Sequence, residues 1–266
     1  MTGPIELAPD WKRSLAIPRP LLLASGALAV PEQADSIGAL VTLPLTLYHR
    51  MGAPLPRVVE IPGGALFRTG AANPGLTRVL RQYRTAWARS ATDIPIIVAL
   101  AVQGVRDWPA MAAQLERVPG VGGVELHLNP TIDSPAAIRA TRARTDLPIL
   151  AKLDLDEAAP AFAAECIAGG ANSLVIGRPP RGAAVVEGRP WYGRLYAPSV
   201  KALVMRVLVE LASQNPHAPL IASGGVYSAE DVRDFLGAGA AAVEIDAALW
   251  LNPGMLADVA QERKAV

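Results

Sequence analysis

The sequence predicts a single (β/α)8 barrel spanning residues 1–266, and three observations carry that prediction. Its 266 residues match the roughly 250 that such a barrel needs. Eight short runs rich in Val, Ile, Leu and Ala recur along it, with longer stretches of helical spacing between them, the rhythm of βα units around a parallel sheet. The runs are apolar throughout instead of alternating, as strands are when barrel core covers one face and outer helices the other.

Taken in order, Leu21–Ala24 and Ala39–Leu43 are the first two strands. Pro56–Gly70 then breaks the rhythm: VVEI is strand-like and PGG is a turn, so this segment reads as a hairpin inserted at one barrel mouth. Pro74–Ser90 has the three-and-four apolar spacing of a helix. Ile96–Leu100, Val124–Leu128 and Ile149–Leu153 are strands, followed by a helix over Asp156–Ala168 and a sixth strand at Ser173–Ile176. Gly177–Ala197 carries four arginines, three prolines and four glycines, which predicts a long irregular loop over the C-terminal mouth. A helix over Ala197–Ser213 leads to the strand Leu220–Ala222. The helix Ala229–Leu236 has Ser228 as N-cap and Gly237 as its stop, and Ala242–Ile245 is the eighth strand. There is no internal repeat beyond the βα rhythm and no low-complexity tract.

The composition is 51% hydrophobic, 18% charged and 5% aromatic, that of a soluble α/β protein with an aliphatic core. Lys plus Arg is 25 against 24 for Asp plus Glu, so no net field attracts nucleic acid or an anionic membrane. The single cysteine, Cys166, excludes an internal disulfide and a multi-cysteine metal or iron–sulfur site within the chain. It also points to the cytoplasm. The N-terminus lacks an apolar signal core, and no apolar run is long enough to span a bilayer. The expected partner is a small-molecule substrate.

Three stretches together resemble dihydroorotate dehydrogenase: LLLASG (Leu21–Gly26), RVVEIPGGALFRTGAANPG (Arg57–Gly75) and PLIASGGVYSAEDVRDFLGAGAAAVEI (Pro219–Ile245). The middle one is the most specific, because a generic barrel has no reason for a hairpin ending in an Asn-Pro-Gly turn after strand two. The last is shared by many phosphate-binding barrels. The resemblance runs from about Pro20 to Asn252 and implies a flavin barrel of pyrimidine biosynthesis. In that family FMN lies across the C-terminal mouth with its phosphate in backbone amides after strands seven and eight. A base takes a proton from dihydroorotate while a hydride passes to flavin N5. The resemblance also implies a homodimer and, in one class, an electron-transfer partner subunit with FAD and an iron–sulfur cluster.

Carried over residue by residue, the resemblance makes Ala24, Ser25 and Gly26 the first flavin-contacting turn, although any tight βα turn tolerates the same trio. Ser223, Gly224 and Gly225 form the phosphate-binding turn, and Asn73 is a substrate contact. Lys152 lies in the apolar strand ILAKL, where a charge is costly unless paired or functional, and it matches a family lysine at flavin and substrate. Other positions depart from the pattern. A family lysine on strand two is replaced within TLPLT by Leu43 and Pro44, and a strand-three asparagine is Ala99. The strand-four motif is shortened to ELHLNP, Glu125–Pro130, without a thiol or hydroxyl at the base position. His127 is the candidate replacement base, with a pKa suited to neutral proton transfer, although a lone strand histidine is more often a satisfied structural residue. Arg178 stands where an asparagine holds the substrate and either clamps an anion or is a solvated loop residue. Cys166 reads as core packing of an outer helix. After strand eight the family's Gly-Thr or Gly-Ser is Asp246-Ala247, and its Ser-Gly before the next helix is Tyr196-Ala197. An aspartate there repels a phosphate dianion by about 1–4 kcal/mol.

Two readings follow. One is an FMN-dependent oxidoreductase with His127 and Lys152 as its catalytic residues and an altered substrate. The other is a flavin-free, non-catalytic paralogue that serves as a binding or assembly subunit. A lyase or binding activity built on Lys152 and His127 without flavin is a third.

Overall fold

The computed structural model describes residues 3–24, 26–28, 30, 36–90, 94–101, 106–128, 134–155, 159–214, 217–246, 249 and 254–262. The chain opens on a two-stranded antiparallel ribbon, β1 (Ile5–Glu6) and β2 (Ala16–Ile17). Barrel strands β3 (Leu21–Leu23) and β4 (Ala39–Val41) follow, then a hairpin of β5 (Val58–Ile61) and β6 (Gly64–Phe67) and helix α1 (Leu76–Ser90). The middle of the chain alternates β7 (Ile96–Leu100), α2 (Asp107–Leu115), β8 (Val121–His127), α3 (Ser134–Arg142), β9 (Ile149–Leu153), α4 (Ala159–Ala168) and β10 (Ser173–Ile176). A second hairpin, β11 (Arg181–Val186) and β12 (Arg189–Tyr196), precedes α5 (Val200–Gln214), β13 (Leu220–Ser223), α6 (Ala229–Gly237), β14 (Ala242–Ile245) and α7 (Met255–Glu262).

The eight strands β3, β4, β7, β8, β9, β10, β13 and β14 pair in parallel in that order and close on themselves, which confirms the predicted barrel. Alternation divides their side chains. Leu21, Leu23, Leu40, Ile96 and Val98 pack outward under the helices. Leu22, Val41, Ile97, Ala99, Leu150, Val175 and Ile221 fill the interior. The expected helices are found within a few residues of their predicted bounds, and residues 156–158 lie outside the described set. Ser228 caps α6 in a reciprocal capping box with Asp231. The helix ends at Gly237, the predicted stop, and the left-handed φ, +106°, falls two residues on at Gly239, where a glycine avoids the Cβ penalty.

Two further features depart from expectation. The N-terminal ribbon was not anticipated, because two-residue strands carry no periodic pattern. Its Leu7, Leu15 and Ile17 are buried with the interior strand residues, and the Leu15 side chain lies against Gly122 and Gly123, so the ribbon plugs the barrel at the start of the strands. Gly177–Ala197 is a regular hairpin and not an irregular loop. β12 pairs with β6, which joins both inserted hairpins into one antiparallel sheet of order β11-β12-β6-β5. Three of the four arginines, Arg181, Arg189 and Arg194, lie within the two strands, and unpaired edge groups on β6 supply the partner that β12 needs.

Candidate functional site

Charged side chains converge inside the C-terminal half of the barrel. Glu125 and His127 are two apart on β8, Lys152 is the penultimate residue of β9, and Glu244 is the penultimate residue of β14. Period-two alternation turns all four inward. Lys152 Nζ lies 2.6 Å from Glu244 Oε2 and 3.3 Å from Glu125 Oε1. Glu125 Oε1 also lies 2.6 Å from His127 Nε2. Glu125 and Glu244 are almost fully buried, and Lys152 is 6% exposed.

Burial alone would lower the lysine, yet Glu125 and Glu244 outweigh it and hold Lys152 above its ordinary range. Glu244 is pushed up to about 7 by burial and by Glu125, against the pull of Lys152. One ammonium therefore serves two carboxyl groups. Glu125 Oε2 and Glu244 Oε1 have no hydrogen-bond partner, and the charge of Glu125 is among the causes that raise Glu244. Burial, with Lys152 and Arg178 nearby, lowers His127 well below 6.5. Its imidazole is neutral at pH 7, donates through Nε2 to Glu125, and is a weaker base than the sequence led us to expect.

Beside this cluster, Asp246 follows β14, and the Tyr196 hydroxyl is among the groups that lower it. Burial raises Asp246 to about 7, with Lys152 opposing and Glu244 and Glu125 reinforcing. Tyr196 ends β12 and its ring packs edge-on to Phe67 at 4.7 Å, so the inserted sheet delivers the phenol to the barrel mouth. Asp246, Glu244, Tyr196, Tyr227 and the Ser223–Gly225 turn line a small cleft open to solvent. No lysine, arginine or histidine lines it among the described residues.

An aspartate whose folded pKa lies above its unfolded value stabilises the fold at low pH, and that contribution disappears as pH rises through the folded value. Asp246→Asn is therefore expected to gain stability relative to the wild type between pH 4 and pH 8, by on the order of 4 kcal/mol. Urea titrations of both proteins at the two pH values measure the difference, and an unchanged difference would refute the buried acid.

The remaining predicted positions are distributed around the mouth. Gly224 and Gly225 have φ of +106° and +71°. A Cβ on Gly225 would meet the Lys201 amide nitrogen at 2.1 Å, so close packing against the start of α5 already requires this glycine. Ala24 donates its amide to Ile245 O, and Gly26 has φ +82°; Ser25 lies outside the described residues. Asn73 is buried. Its Oδ1 accepts from the amides of Thr46 and Gly75 and its Nδ2 donates to Thr46 Oγ1 and Ala71 O. Its bonding groups thus serve its own turn. Asn73→Ala should lower stability by about 1–3 kcal/mol, seen as a lower urea midpoint, and no loss would release Asn73 from this structural role. Arg178 donates to Leu128 O and approaches Asp154 at 3.8 Å, and Arg194 reaches the same aspartate at 3.4 Å. Cys166 is buried, its thiol pushed up to about 12 by burial, as an inert packing residue requires. No described helix is long and apolar enough to cross a membrane, and no described group of three or more His, Cys, Asp or Glu side chains could hold a metal ion.

Sequence reasoning singled out His127 and Lys152 but gave no role to Glu125, Glu244 or Tyr227. The signal was present for the glutamates: a charge within an apolar parallel strand needs a partner, and this holds for VELH and AVEI as it does for ILAKL. Nothing local could have brought Tyr196 into the cleft.

Comparison with known proteins agrees with this architecture. The sequence profile of the dihydroorotate dehydrogenase family matches residues 14–143 and 181–266. The chain is 31% identical over 274 residues to the catalytic subunit of dihydroorotate dehydrogenase B (NAD(+)) from Desulforudis audaxviator, covering 93% of this chain and 88% of that one. The corresponding subunit from Anoxybacillus flavithermus is 30% identical over 278 residues, covering 95% and 88%. That of Geobacillus kaustophilus is 31% identical over 267 residues, covering 90% and 84%. With the profile, these identities and the closed eight-stranded barrel in agreement, the chain belongs to the dihydroorotate dehydrogenase family.

Proposed function

We propose that this chain is a flavin-free member of its family, one barrel domain that binds a small molecule at its C-terminal mouth and acts as a binding subunit instead of oxidising dihydroorotate. The observation that carries this reading is the acidic cleft. Barrels of this architecture commonly hold phosphate in the loops after the seventh and eighth strands, and here that position is walled by Asp246 and Glu244 without a lining cation among the described residues. The residues present do not fit the FMN phosphate. Desolvated carboxyl groups repel the dianion, and the Tyr196 ring occupies ground between them and the inserted sheet.

The residues that would favour a flavin enzyme are committed to other contacts in this chain. Lys152 is taken up by two glutamates, and Gly225 is required by the start of α5. His127, the candidate base, already donates to Glu125. The relatives are named as catalytic subunits, which supports assembly with a second chain; a homodimer in the cytoplasm is part of the same reading. The test is the visible absorption spectrum of the purified protein before and after incubation with excess FMN and desalting. No flavin bands should survive. Retained bands would overturn the reading in favour of an FMN-dependent oxidoreductase, with His127→Ala assayed on dihydroorotate as the next step.

A further inference from the structure

We infer that the cleft between β13, β14 and Tyr196 binds a compact organic cation, a primary amine or a guanidine, with Asp246 and Glu244 as its anionic contacts. The inference deepens the flavin-free reading and rests on it, since a bound flavin phosphate would fill the same space.

Three observations support it. First, among the described residues the only charged side chains lining the cleft are Glu244 and Asp246. Second, Glu244 is 1% exposed and its Oε1 has no donor. A buried carboxylate oxygen without a donor is costly. Protonation of Glu244 satisfies it in acid; with Glu244 ionised, a donor bound in the cleft that this side chain lines serves that oxygen. Third, the charges around the two acids are already committed. β9 offers Lys152, which bridges Glu125 and Glu244. β8 offers Glu125 and a neutral His127. β12 offers Tyr196 and Arg194, the latter held by Pro179 O and, with Arg178, by Asp154, and Tyr227 follows the turn after β13. With Glu244 and Asp246 both ionised, as above their folded values, the local balance is short of positive charge.

The rest of the lining selects an organic cation over a metal ion. Two tyrosine rings and the apolar Leu195 and Val200 line the same space, as suits an alkyl stem and an aromatic contact to an ammonium. A metal would require several oxygen or nitrogen ligands, and no described cluster supplies them.

Agmatine and butylamine are the probes, titrated calorimetrically into the full chain at pH 8 with inorganic phosphate and butanol as controls. Saturable binding of at least one amine is expected, with no binding of phosphate or butanol. Asp246→Asn, with its fold checked by circular dichroism, should weaken amine binding at least about tenfold, which is about 1.4 kcal/mol. The wild type should bind the amine less tightly at pH 5.5 than at pH 8, because protons compete for the same carboxyl groups; this arm keeps the inference testable should the variant misfold. Failure of both amines to bind, equal affinity at both pH values, or equal affinity in a folded Asp246→Asn would overturn it. These outcomes differ from flavin retained after desalting, which would overturn the flavin-free reading itself.

Discussion

Lys152→Met is expected to cost about 3–5 kcal/mol of stability at pH 8, and to recover most of that loss at pH 5. The substitution keeps the volume of the stem, so cavity formation contributes little. What disappears is the only ammonium between two carboxyl groups, at 2.6 and 3.3 Å, leaving their negative charge buried and uncompensated. A domain of ordinary stability has about 5–15 kcal/mol in total, so the variant should be close to unfolding in mild alkali. In acid Glu244 is protonated and its need for the cation falls. Glu244, raised to about 7 in the presence of Lys152, should move further up without it, which is why recovery is expected on acidification. Guanidinium unfolding at pH 5 and pH 8 measures both parts. The combined change Glu125→Gln, Lys152→Met and Glu244→Gln should restore stability at pH 8, because removing a whole buried ion cluster is often neutral where removing one partner is not. A loss below about 1 kcal/mol, within the range of an exposed pair, would mean that the cluster is solvated and the barrel interior is not the dry, charge-paired site described above.

Asp246→Gly combined with Tyr196→Ser should raise FMN affinity by about one to three decades. A unit charge 4 Å from another contributes about 1–4 kcal/mol between effective dielectrics of 80 and 20, and each 1.4 kcal/mol is a factor of about ten. The phosphate carries close to two negative charges, and Asp246 lines the cleft with Tyr196. The serine also returns a hydroxyl donor and clears the ring that packs on Phe67. Fluorescence quenching of FMN during titration with wild type and variant gives the ratio directly. Equal affinities would show that neither residue sets flavin binding, and the exclusion would have to be sought at Leu43 and Ala99, where the family pattern also departs.

The barrel was legible in the sequence because it is built from local signals. IIVAL, ILAKL and SLVI are apolar on both faces, and the helix after Ser228 declares its start by a capping box formed within four residues. Lys152 was legible for a related reason: a charge inside an apolar strand needs a partner wherever the strand is placed. The partner itself was not. Glu244 is 92 residues away along the chain, and only closure of the barrel, with β14 pairing back to β3, sets both side chains facing the same interior. The same limit applies to Gly177–Ala197, whose composition suggested a loop because the sheet that makes it regular begins at β6, more than a hundred residues earlier. It is that pairing which carries Tyr196 to Asp246 and closes the cleft on its acidic wall. Thus strand and helix identity, the inward lysine and the glycine turn follow from the sequence by itself, since backbone preference and the cost of burying a charge act locally. Which acids surround that lysine, and what charge the mouth presents to a ligand, were decided by tertiary structure, since Coulomb and hydrogen-bond energies depend on distances that only the closed barrel and its inserted sheet create.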